Sequence, residues 1–430
     1  MKNSFAKGIG LLALNITISI AAVTTAHAGS FDINPPDAKS LSLSFAGAAA
    51  GGSGLSSLEY NPATVTDFDG MWGSQSVSFI HPSIHVESPD GQTTDDLANG
   101  GRWLPSGQAT YQVNDKIWFG LSTGAPYGLV TKIYPGYSAA FYDTYTSVFT
   151  VAGMPMMGVK LTDWLSVAAG AEIFYFQAHL GNLVTPLVPG SYLRFFGHDV
   201  TATAKYGFTI KPSAGAEFGM SYRFAAHPHL GGSLANNIAL PGLSGVILPG
   251  SQSANANITL PGQLNVGYRQ VVTDDLTLDF TYQWTNWGVF NRFAIDVNGL
   301  PALPLNFSYR DGWLISGGGE YKLSPQVTLR SGFGYEKSPI TTAIRNVNLP
   351  DANRMYLGFG GGYQITPQLS VDLAYQHLFF PKTPINLTSP ANPQFHGVPF
   401  AGTVYSHADA VAVTANYRFD APPPVVTAKY

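Results

Sequence analysis

The most regular feature of the chain is an alternation of hydrophobic and polar residues that begins near Trp72 and continues to Phe419. In the clearest segment, large apolar side chains occupy every second position: Leu276, Leu278, Phe280, Tyr282 and Trp284. Residues 327–336 and 369–376 follow the same period of two. This period predicts β-strands with one apolar and one polar face.

The polar face of these strands has an unusual composition. Gly, Ser and Thr dominate it, with only occasional charges such as Asp279, Arg330 and Asp372. A soluble sandwich would present more Lys and Glu to bulk water, whereas the inside of a membrane barrel accepts small and polar side chains. The pattern therefore predicts an all-β membrane protein whose apolar faces meet lipid.

The spacing of turn signals predicts the number of strands. Six short polar turns are expected at Asn114-Asp115, Thr162-Asp163, Ala226-His227, Thr273-Asp274, Ser324-Pro325 and Thr366-Pro367. Seven long connections are expected near residues 88–105, 125–146, 181–203, 241–256, 298–304, 337–353 and 385–403. Short and long connections alternate, which predicts a fourteen-stranded antiparallel transmembrane β-barrel with both ends on the periplasmic side.

The N-terminus is predicted to be an export signal. Lys2 and Lys7 precede an apolar run from Ile9 to Val23, and Ala26-His27-Ala28 forms a small-x-small cleavage site. Residues 1–28 are therefore predicted to be a signal peptide, removed so that the mature chain begins near Gly29. No later run of 18 apolar residues could form a transmembrane helix.

Between the signal and the first strand lies a segment rich in small residues. Residues 47–68 include Gly47-Ala48-Ala49-Ala50-Gly51-Gly52-Ser53-Gly54 and show no sustained period of two. Such backbone cannot face lipid because its polar groups need partners, but the inside of a barrel can supply them. The predicted organisation is a hatch over 29–71, a barrel over 72–420 and a proline-rich periplasmic tail over 421–430.

Composition excludes several other classes of protein. The chain has 430 residues, 11% of them charged, with a net charge of −4, no basic run and no cysteine. Nucleic acid is therefore not an expected partner, and neither disulfides nor thiolate-bound metals can form.

No catalytic, metal or cofactor site is predicted either. Gly120-Leu121-Ser122-Thr123-Gly124 matches a hydrolase elbow motif, but it lies on an alternating strand with no helix after it. His81 and His85 share a strand face but stand about 13 Å apart, too far to share a metal. His227 and His229 fall at a predicted periplasmic turn, where solvated side chains are the expected reading.

Five motifs occur in order along the chain. They are Gly47 through Asn61-Pro62-Ala63 to Phe68, Ala125-Pro126-Tyr127-Gly128-Leu129, Trp284-Thr285-Asn286-Trp287, Lys337-Ser338-Pro339-Ile340 through Arg345, and Pro350-Asp351-Ala352-Asn353-Arg354-Met355-Tyr356. Together they resemble the FadL/TodX type of outer-membrane transporter. The resemblance covers essentially the whole mature chain and is weakest in the external loops.

The resemblance implies a monomer in the outer membrane of a Gram-negative bacterium, surrounded by lipid and lipopolysaccharide. Hydrophobic molecules would enter through external loops, and movement of the hatch, with its motif at Asn61, Pro62 and Ala63, would open a sideways exit. That exit would lie beside a kinked third strand, for which Gly120, Gly124 and Pro126 are the candidates. The resemblance implies no energy-coupling partner.

Two predicted external loops are unusually apolar for segments that face water. Their side chains could form a binding groove for a hydrophobic molecule, and the candidates are Leu187, Tyr192, Phe195, Phe196, Leu243 and Ile247. The same loops could instead pack on each other over the barrel mouth. Arg345 and Arg354 are candidates for binding a carboxylate, although lumen arginines usually pair with lumen carboxylates.

These observations leave several functions open. The first is passive transport of long-chain fatty acids or related lipids with lateral exit, and an alternative is a channel specialised for aromatic or aliphatic hydrocarbons. A general diffusion porin is disfavoured by the predicted plug and the scarcity of lumen charge. An outer-membrane hydrolase is disfavoured because no Ser/His pairing is evident, so the chain is predicted not to be an enzyme.

Overall fold

The computed structural model describes residues 30–420 except 35, 242–245, 248, 298–303 and 396, so the predicted signal peptide and tail lie outside the described residues. The described part of the chain forms fourteen barrel strands, some in two pieces. They are β1 (Met71–Glu87), β2 (Arg102–Asn114), β3 (Ile117–Gly124 and Gly128–Lys132), β4 (Tyr145–Thr162), β5 (Leu165–Leu183), β6 (Tyr192–Ser213), β7 (Ala216–Arg223 and His229–Asn236), β8 (Gly250–Asn257 and Gln263–Val271), β9 (Leu276–Thr285 and Arg292–Val297), β10 (Gly312–Lys322), β11 (Val327–Lys337), β12 (Arg354–Gln364), β13 (Leu369–Phe379 and Thr383–Leu387) and β14 (Phe400–Arg418).

Each strand pairs antiparallel with its neighbours along the chain, and β14 pairs with β1 to close the barrel. The closing ladder runs from Trp72 opposite Arg418 to Glu87 opposite Thr403. Closure pairs the first and the last strand with each other, as a spanning sheet requires because lipid offers no hydrogen-bond partners. The predicted all-β membrane fold with a closed fourteen-stranded barrel is confirmed.

One predicted turn is wrong. The tight turn between β6 and β7 lies at residues 214–215, where Gly215 has a φ of +80°, and not at Ala226-His227. Residues 224–228 instead interrupt β7 in its middle, opposite a break in β8, and Ala226 bridges to Leu260 across the two breaks. Proline at 228 lacks the N–H that a continuous ladder needs, so the chain bends there without reversing.

The alternation along the strands matches the two faces of the wall. Leu278 and Phe280 are 48% and 49% exposed on the outer face, whereas Asp279 and Thr281 are buried on the inner face. The outer face of this strand is therefore apolar, as contact with lipid requires. Within the described residues, no helix is long and apolar enough to cross a membrane.

Residues before β1 fold inside the barrel as short helical turns. They form α1 (Ala38–Ser42), α2 (Ser57–Tyr60) and 3-10 helices at Ala48–Ala50, Gly54–Ser56 and Pro62–Asp67. Further 3-10 helices occur at Ser138–Phe141 and Trp287–Val289. Short strands occur at Leu240–Pro241, Val246–Ile247 and Pro304–Asn306.

The hatch, as we call residues 30–70, contacts the wall on several sides. Helix α1 packs on β11 to β14, and the 3-10 helix Pro62–Asp67 packs on β3 to β7. Glycines on the wall make this contact possible: a Cβ on Gly219 would lie 1.8 Å from the Ala49 carbonyl oxygen, and one on Gly332 would lie 2.1 Å from the carbonyl of Leu43. The glycine-rich inner face is therefore shaped to the hatch.

Candidate functional site

An apolar cavity, here called the outer cavity, lies between the hatch and the external part of the barrel. Its empty volume is about 520 Å³, which includes space open to solvent, and its apolar lining includes Phe31, Phe176, Leu230, Phe290, Phe293 and Phe307. Thr146, Tyr309 and Asn348 add the polar groups of the lining, and none of the described residues that line it is charged. Burying an apolar group there removes it from water, worth about 0.8 kcal/mol per CH₂, so the cavity suits a hydrophobic molecule.

The loop residues predicted to bind a ligand occupy different places. Phe195 is 2% exposed and lines the outer cavity. Leu187 is 90% exposed, Tyr192 lies under the Arg194 guanidinium at 4.6 Å, and Phe196 packs on the His179 ring at 4.5 Å. Leu243 lies outside the described residues, and Ile247 pairs with Leu240 in a short hairpin whose side chains are not described.

The two arginines predicted to bind a carboxylate have protein partners and do not line the outer cavity. Arg345 Nε donates to the carbonyl of Asp351 at 2.9 Å and its Nη1 to the carbonyl of Pro384 at 2.9 Å. Arg354 is buried, with Nη2 3.2 Å from Asp351 Oδ1 and Nε 3.4 Å from Glu336 Oε2.

Strand β3 is broken beside β2 and opens a gap in the wall. The β2–β3 ladder ends at Gly107 opposite Thr123, whereas the β1–β2 ladder continues to Arg102. Pro105 of β2 has no N–H to donate across the gap. On the other side, β3 leaves β4 after Gly124 and rejoins it at Gly128, so one extra residue bulges from the ladder.

The start of the hatch fills this gap with its own backbone. Ile33 N donates to the Pro126 carbonyl at 2.8 Å, and Gly128 N donates to the Phe31 carbonyl at 2.9 Å. Asp32 lies opposite Tyr127 between these two bonds. A three-residue piece of the hatch therefore completes the hydrogen bonding of a wall strand, which the broken ladder would otherwise leave unsatisfied.

Gly124 and Pro126 lie at the break, and Gly120 lies on β3 before it, facing the hatch. A Cβ on Gly120 would stand 2.9 Å from Val65 Cγ2, and one on Gly124 would stand 3.2 Å from Glu59 Oε2. The structure thus brings two of the three exit candidates to the gap.

A polar cavity, here called the inner chamber, lies directly behind the gap. Its empty volume is about 650 Å³, which includes space open to solvent, and its lining includes Leu104, Pro105, Gly124, Ala125 and Pro126 from the gap. Three acidic and two basic residues also line it: Asp32, Glu59, Glu172, Lys205 and Arg223. The outer cavity and the inner chamber meet at the hatch, because the consecutive residues Phe31 and Asp32 each line one of them.

The charges of the inner chamber are arranged around Arg223. Its Nη2 lies 3.6 Å from Asp32 Oδ1 and donates to the Tyr127 hydroxyl at 2.9 Å, and its Nη1 lies 3.8 Å from Glu172 Oε2. Lys205 Nζ donates to the Glu59 carbonyl. Burial raises the pKa of the Glu59 carboxyl to about 8, and burial also raises the pKa of Asp32, which the Arg223 guanidinium opposes.

The motif Asn61-Pro62-Ala63 fastens the hatch to itself and to the wall. Asn61 caps the 3-10 helix that begins at Pro62: its Oδ1 accepts from Ala63 N at 3.0 Å. Its Nδ2 donates to the Ala49 carbonyl at 2.8 Å and to the Phe208 carbonyl of β6 at 2.9 Å. Proline at the first helical position has no N–H to leave unsatisfied.

The hydrolase-like motif and the histidines form no reaction centre among the described residues. Ser122 lies within β3 and no helix follows it, as a hydrolase elbow would require. His227 and His229 lie at the break in β7, not at a periplasmic turn, and their rings contact Thr259 and Asn257. No group of three His, Asp or Glu in the described part of the chain could hold a metal ion.

Sequence reasoning missed several residues of the two cavities. Arg223 and Glu172 carry no motif, and the misplaced turn at Ala226-His227 put Arg223 near the periplasm. Pro105 was the available signal for the gap, because a proline inside an alternating strand marks a missing ladder bond. Phe31 offered no signal, since its contacts with Trp287 and Phe290, at centroid distances of 4.8 and 5.3 Å, span more than 250 residues.

Solved structures with the same architecture include a Pseudomonas aeruginosa FadL homologue, with a TM-score of 0.82, 22% identity and coverage of 91% of this chain and 100% of that one. The toluene transporter TbuX of Ralstonia pickettii has a TM-score of 0.69 at 18% identity, covering 89% of this chain and 98% of that one. At these identities the likeness shows the fold.

Curated relatives include the long-chain fatty acid transport protein of Escherichia coli K12, 22% identical over 86% of this chain and 92% of the relative. Outer membrane protein P1 of Haemophilus influenzae is 23% identical over 84% of this chain and 88% of the relative. The family described as outer membrane protein transport protein (OMPP1/FadL/TodX) matches residues 19–419.

These findings confirm the predicted outer-membrane location in a Gram-negative bacterium and the prediction that the chain is not an enzyme. They agree with the closed fourteen-stranded barrel. The chain belongs to the OMPP1/FadL/TodX family of outer-membrane transport proteins.

Proposed function

We propose that this protein carries hydrophobic molecules, long-chain fatty acids or related lipids and hydrocarbons, across the outer membrane by passive diffusion. The substrate would enter the outer cavity from outside and would leave sideways through the gap between β2 and β3. The observation that carries this proposal is the position of Phe31–Ile33. These residues line both cavities, and their backbone hydrogen-bonds the broken strand β3.

The direction of exit follows from the preference of the substrate. A C16 chain favours the bilayer over water by about 10 kcal/mol, at about 0.8 kcal/mol per buried CH₂. A straight path into the periplasm would oppose this preference, whereas an exit through the wall uses it.

The hatch would act as the gate. Its first residues hold the gap closed through the backbone bonds of Ile33 and Phe31 to Pro126 and Gly128. Withdrawal of this segment would join the outer cavity to the gap through the inner chamber. The barrel would work as a monomer among outer-membrane lipid and lipopolysaccharide, because the whole path lies within one chain.

A disulfide across the gap tests the gate. Asp32 and Tyr127 form a non-hydrogen-bonded antiparallel pair, whose Cα atoms stand about 4.5 Å apart, within reach of a disulfide. The chain has no cysteine of its own, so the double variant Asp32→Cys/Tyr127→Cys forms only this bond. We expect uptake of labelled palmitate to stop when the variant is oxidised and to return when it is reduced.

The reduced form of the same variant controls for the substitutions themselves. A second pair, Thr66→Cys/Ser166→Cys, replaces hydroxyls that stand 2.8 Å apart at the other end of the hatch and should leave the gap free to open. Equal uptake by the oxidised and reduced forms of the first pair would eliminate the hatch gate.

A channel specialised for neutral hydrocarbons is the second candidate, favoured because none of the described residues that line the outer cavity is charged. Native mass spectrometry of the purified barrel with palmitate, hexadecane or toluene separates the two. Binding of hexadecane or toluene in preference to palmitate would place the protein among hydrocarbon channels.

A further inference from the structure

We propose that Arg223 is a binding site for the carboxylate of an acidic substrate, and that Asp32 of the hatch occupies this site until the substrate replaces it. The inference rests on the proposed function and deepens it, because it names a substrate class, the anionic lipids, that opens the gate by exchange.

The first residues of the hatch place an apolar group and then a carboxylate along the path, in the same order as the tail and the head of a fatty acid. Phe31 places an apolar ring in the outer cavity, and the next residue, Asp32, directs a carboxylate to Arg223 in the inner chamber. Tyr127 joins the two sites: its ring lies 5.8 Å from Phe31 and 5.2 Å from the Arg223 guanidinium. An acyl chain with a carboxylate head could follow the same path.

Arg223 has capacity for a better ligand than Asp32. Its Nη2 stands 3.6 Å from Asp32 Oδ1, longer than a charge-assisted hydrogen bond of about 2.7–2.9 Å. Asp32 Oδ2 instead accepts from Gln263 Nε2 at 2.8 Å. The Arg223 Nε has no hydrogen-bond partner among the described residues although the side chain is 4% exposed. A free carboxylate could form a bidentate contact with the Arg223 guanidinium, a position from which the docked hatch backbone holds Asp32 away.

The charge balance couples the exchange to the movement of the gate. The carboxyls of Asp32, Glu59 and Glu172 face the cationic side chains of Lys205 and Arg223 in the inner chamber. If the hatch withdraws Asp32, Arg223 loses the carboxylate that stands 3.6 Å from its Nη2, and a buried positive charge that loses a partner is costly in a low dielectric. A substrate carboxylate removes this cost, whereas a neutral hydrocarbon cannot.

The test compares two probes with the same C16 chain, palmitate and hexadecanol, in binding and uptake by the full-length barrel. Asp32→Asn retains a side-chain oxygen for Gln263 but removes the competing charge. We expect it to tighten palmitate binding about tenfold, because the site no longer has to be vacated first, and to leave hexadecanol binding unchanged. Arg223→Gln should lower the palmitate-to-hexadecanol ratio about tenfold, the worth of one hydrogen bond to a charged group.

Asp67→Asn is the matched control, because it removes another carboxylate of the hatch. Asp67 Oδ1 pairs with Lys211 Nζ at a distance of 2.7 Å, and neither residue lines the inner chamber. This variant should not change the palmitate-to-hexadecanol ratio. If Arg223→Gln does not fold, Asp32→Asn decides alone. A palmitate-to-hexadecanol ratio that Asp32→Asn leaves unchanged would overturn the exchange while leaving hydrophobic transport intact. Failure of the unmodified barrel to take up either probe would instead overturn the proposed function.

Discussion

At the residue scale, the absence of side chains matters as much as their chemistry. Several inner-face glycines leave room for hatch backbone, and at Gly219 the neighbouring Ala49 carbonyl would clash with any Cβ. The same carbonyl accepts a hydrogen bond from Asn61. A small residue on the wall and a polar residue on the hatch therefore fix one point of contact together.

Replacing Gly219 with valine should loosen the hatch without opening the barrel. The added Cβ would lie 1.8 Å from the Ala49 carbonyl oxygen, and overpacking of this kind costs about 1–3 kcal/mol. We expect trypsin to cleave the variant after Lys39 of the hatch faster than it cleaves the unmodified protein, while heat-resistant barrel migration on gels is retained.

Gly153→Val provides the matched control, because a Cβ on Gly153 would meet no atom within 4 Å. Equal cleavage rates in the two variants would show that the wall glycines do not hold the hatch.

At the scale of elements, the connection between β3 and β4 contains a buried acid. Asp143 accepts hydrogen bonds from the hydroxyls of Thr131 at 2.9 Å and Thr146 at 2.7 Å. Burial raises the pKa of its carboxyl to about 7, which the two hydroxyls oppose. The folded loop therefore binds a proton more tightly than the unfolded chain does.

The sign of the pH dependence follows from that proton. Between pH 4 and 7 the folded state holds more protons, so stability of the loop falls as pH rises, by up to about 1.4 kcal/mol per pH unit. Asp143→Asn imitates the neutral carboxyl. We expect hydrogen exchange over residues 133–144 to match the unmodified protein at pH 5 and to be slower than it at pH 8.

Asp95→Asn changes an exposed acid in the preceding external loop and should alter exchange at neither pH. If the loop is equally protected in Asp143→Asn and in the unmodified protein at pH 8, ionisation of Asp143 does not destabilise the loop.

The elements also show what sequence can and cannot predict. Alternation such as Leu278 and Asp279 identified strands, because lipid on one side and the lumen on the other impose opposite chemistry on successive residues. Ala226-His227 predicts a reversal because such residues favour a bend whether or not the ladder continues. The true turn depends on Gly215, whose positive φ is cheap only for glycine.

The site was harder to predict than the wall that contains it. The gap beside β3 could be inferred from Gly124 and Pro126, since both weaken a ladder locally. The ion pair of Asp32 with Arg223 joins the hatch to strand β7, and no local period encodes a contact over that separation. The outer cavity is assembled in the same way from Phe31, Phe195 and Phe290.

For the whole molecule, the hatch is expected to make the barrel a poor conductor of ions. Its helical turns occupy the lumen and contact β1 to β9 and β11 to β14. We expect single-channel conductance in planar bilayers at least about tenfold below that of an open porin, whose lumen is a water-filled channel. Porin-like conductance by the intact protein would return the general diffusion porin to consideration.

The buried beginning of the hatch also has a consequence for the order of maturation. Ser30 is fully buried, and its backbone N–H donates to Asp351 Oδ2 at 3.1 Å. We therefore expect that removal of the predicted signal peptide precedes docking of the hatch, so that the timing of export processing decides when the barrel closes.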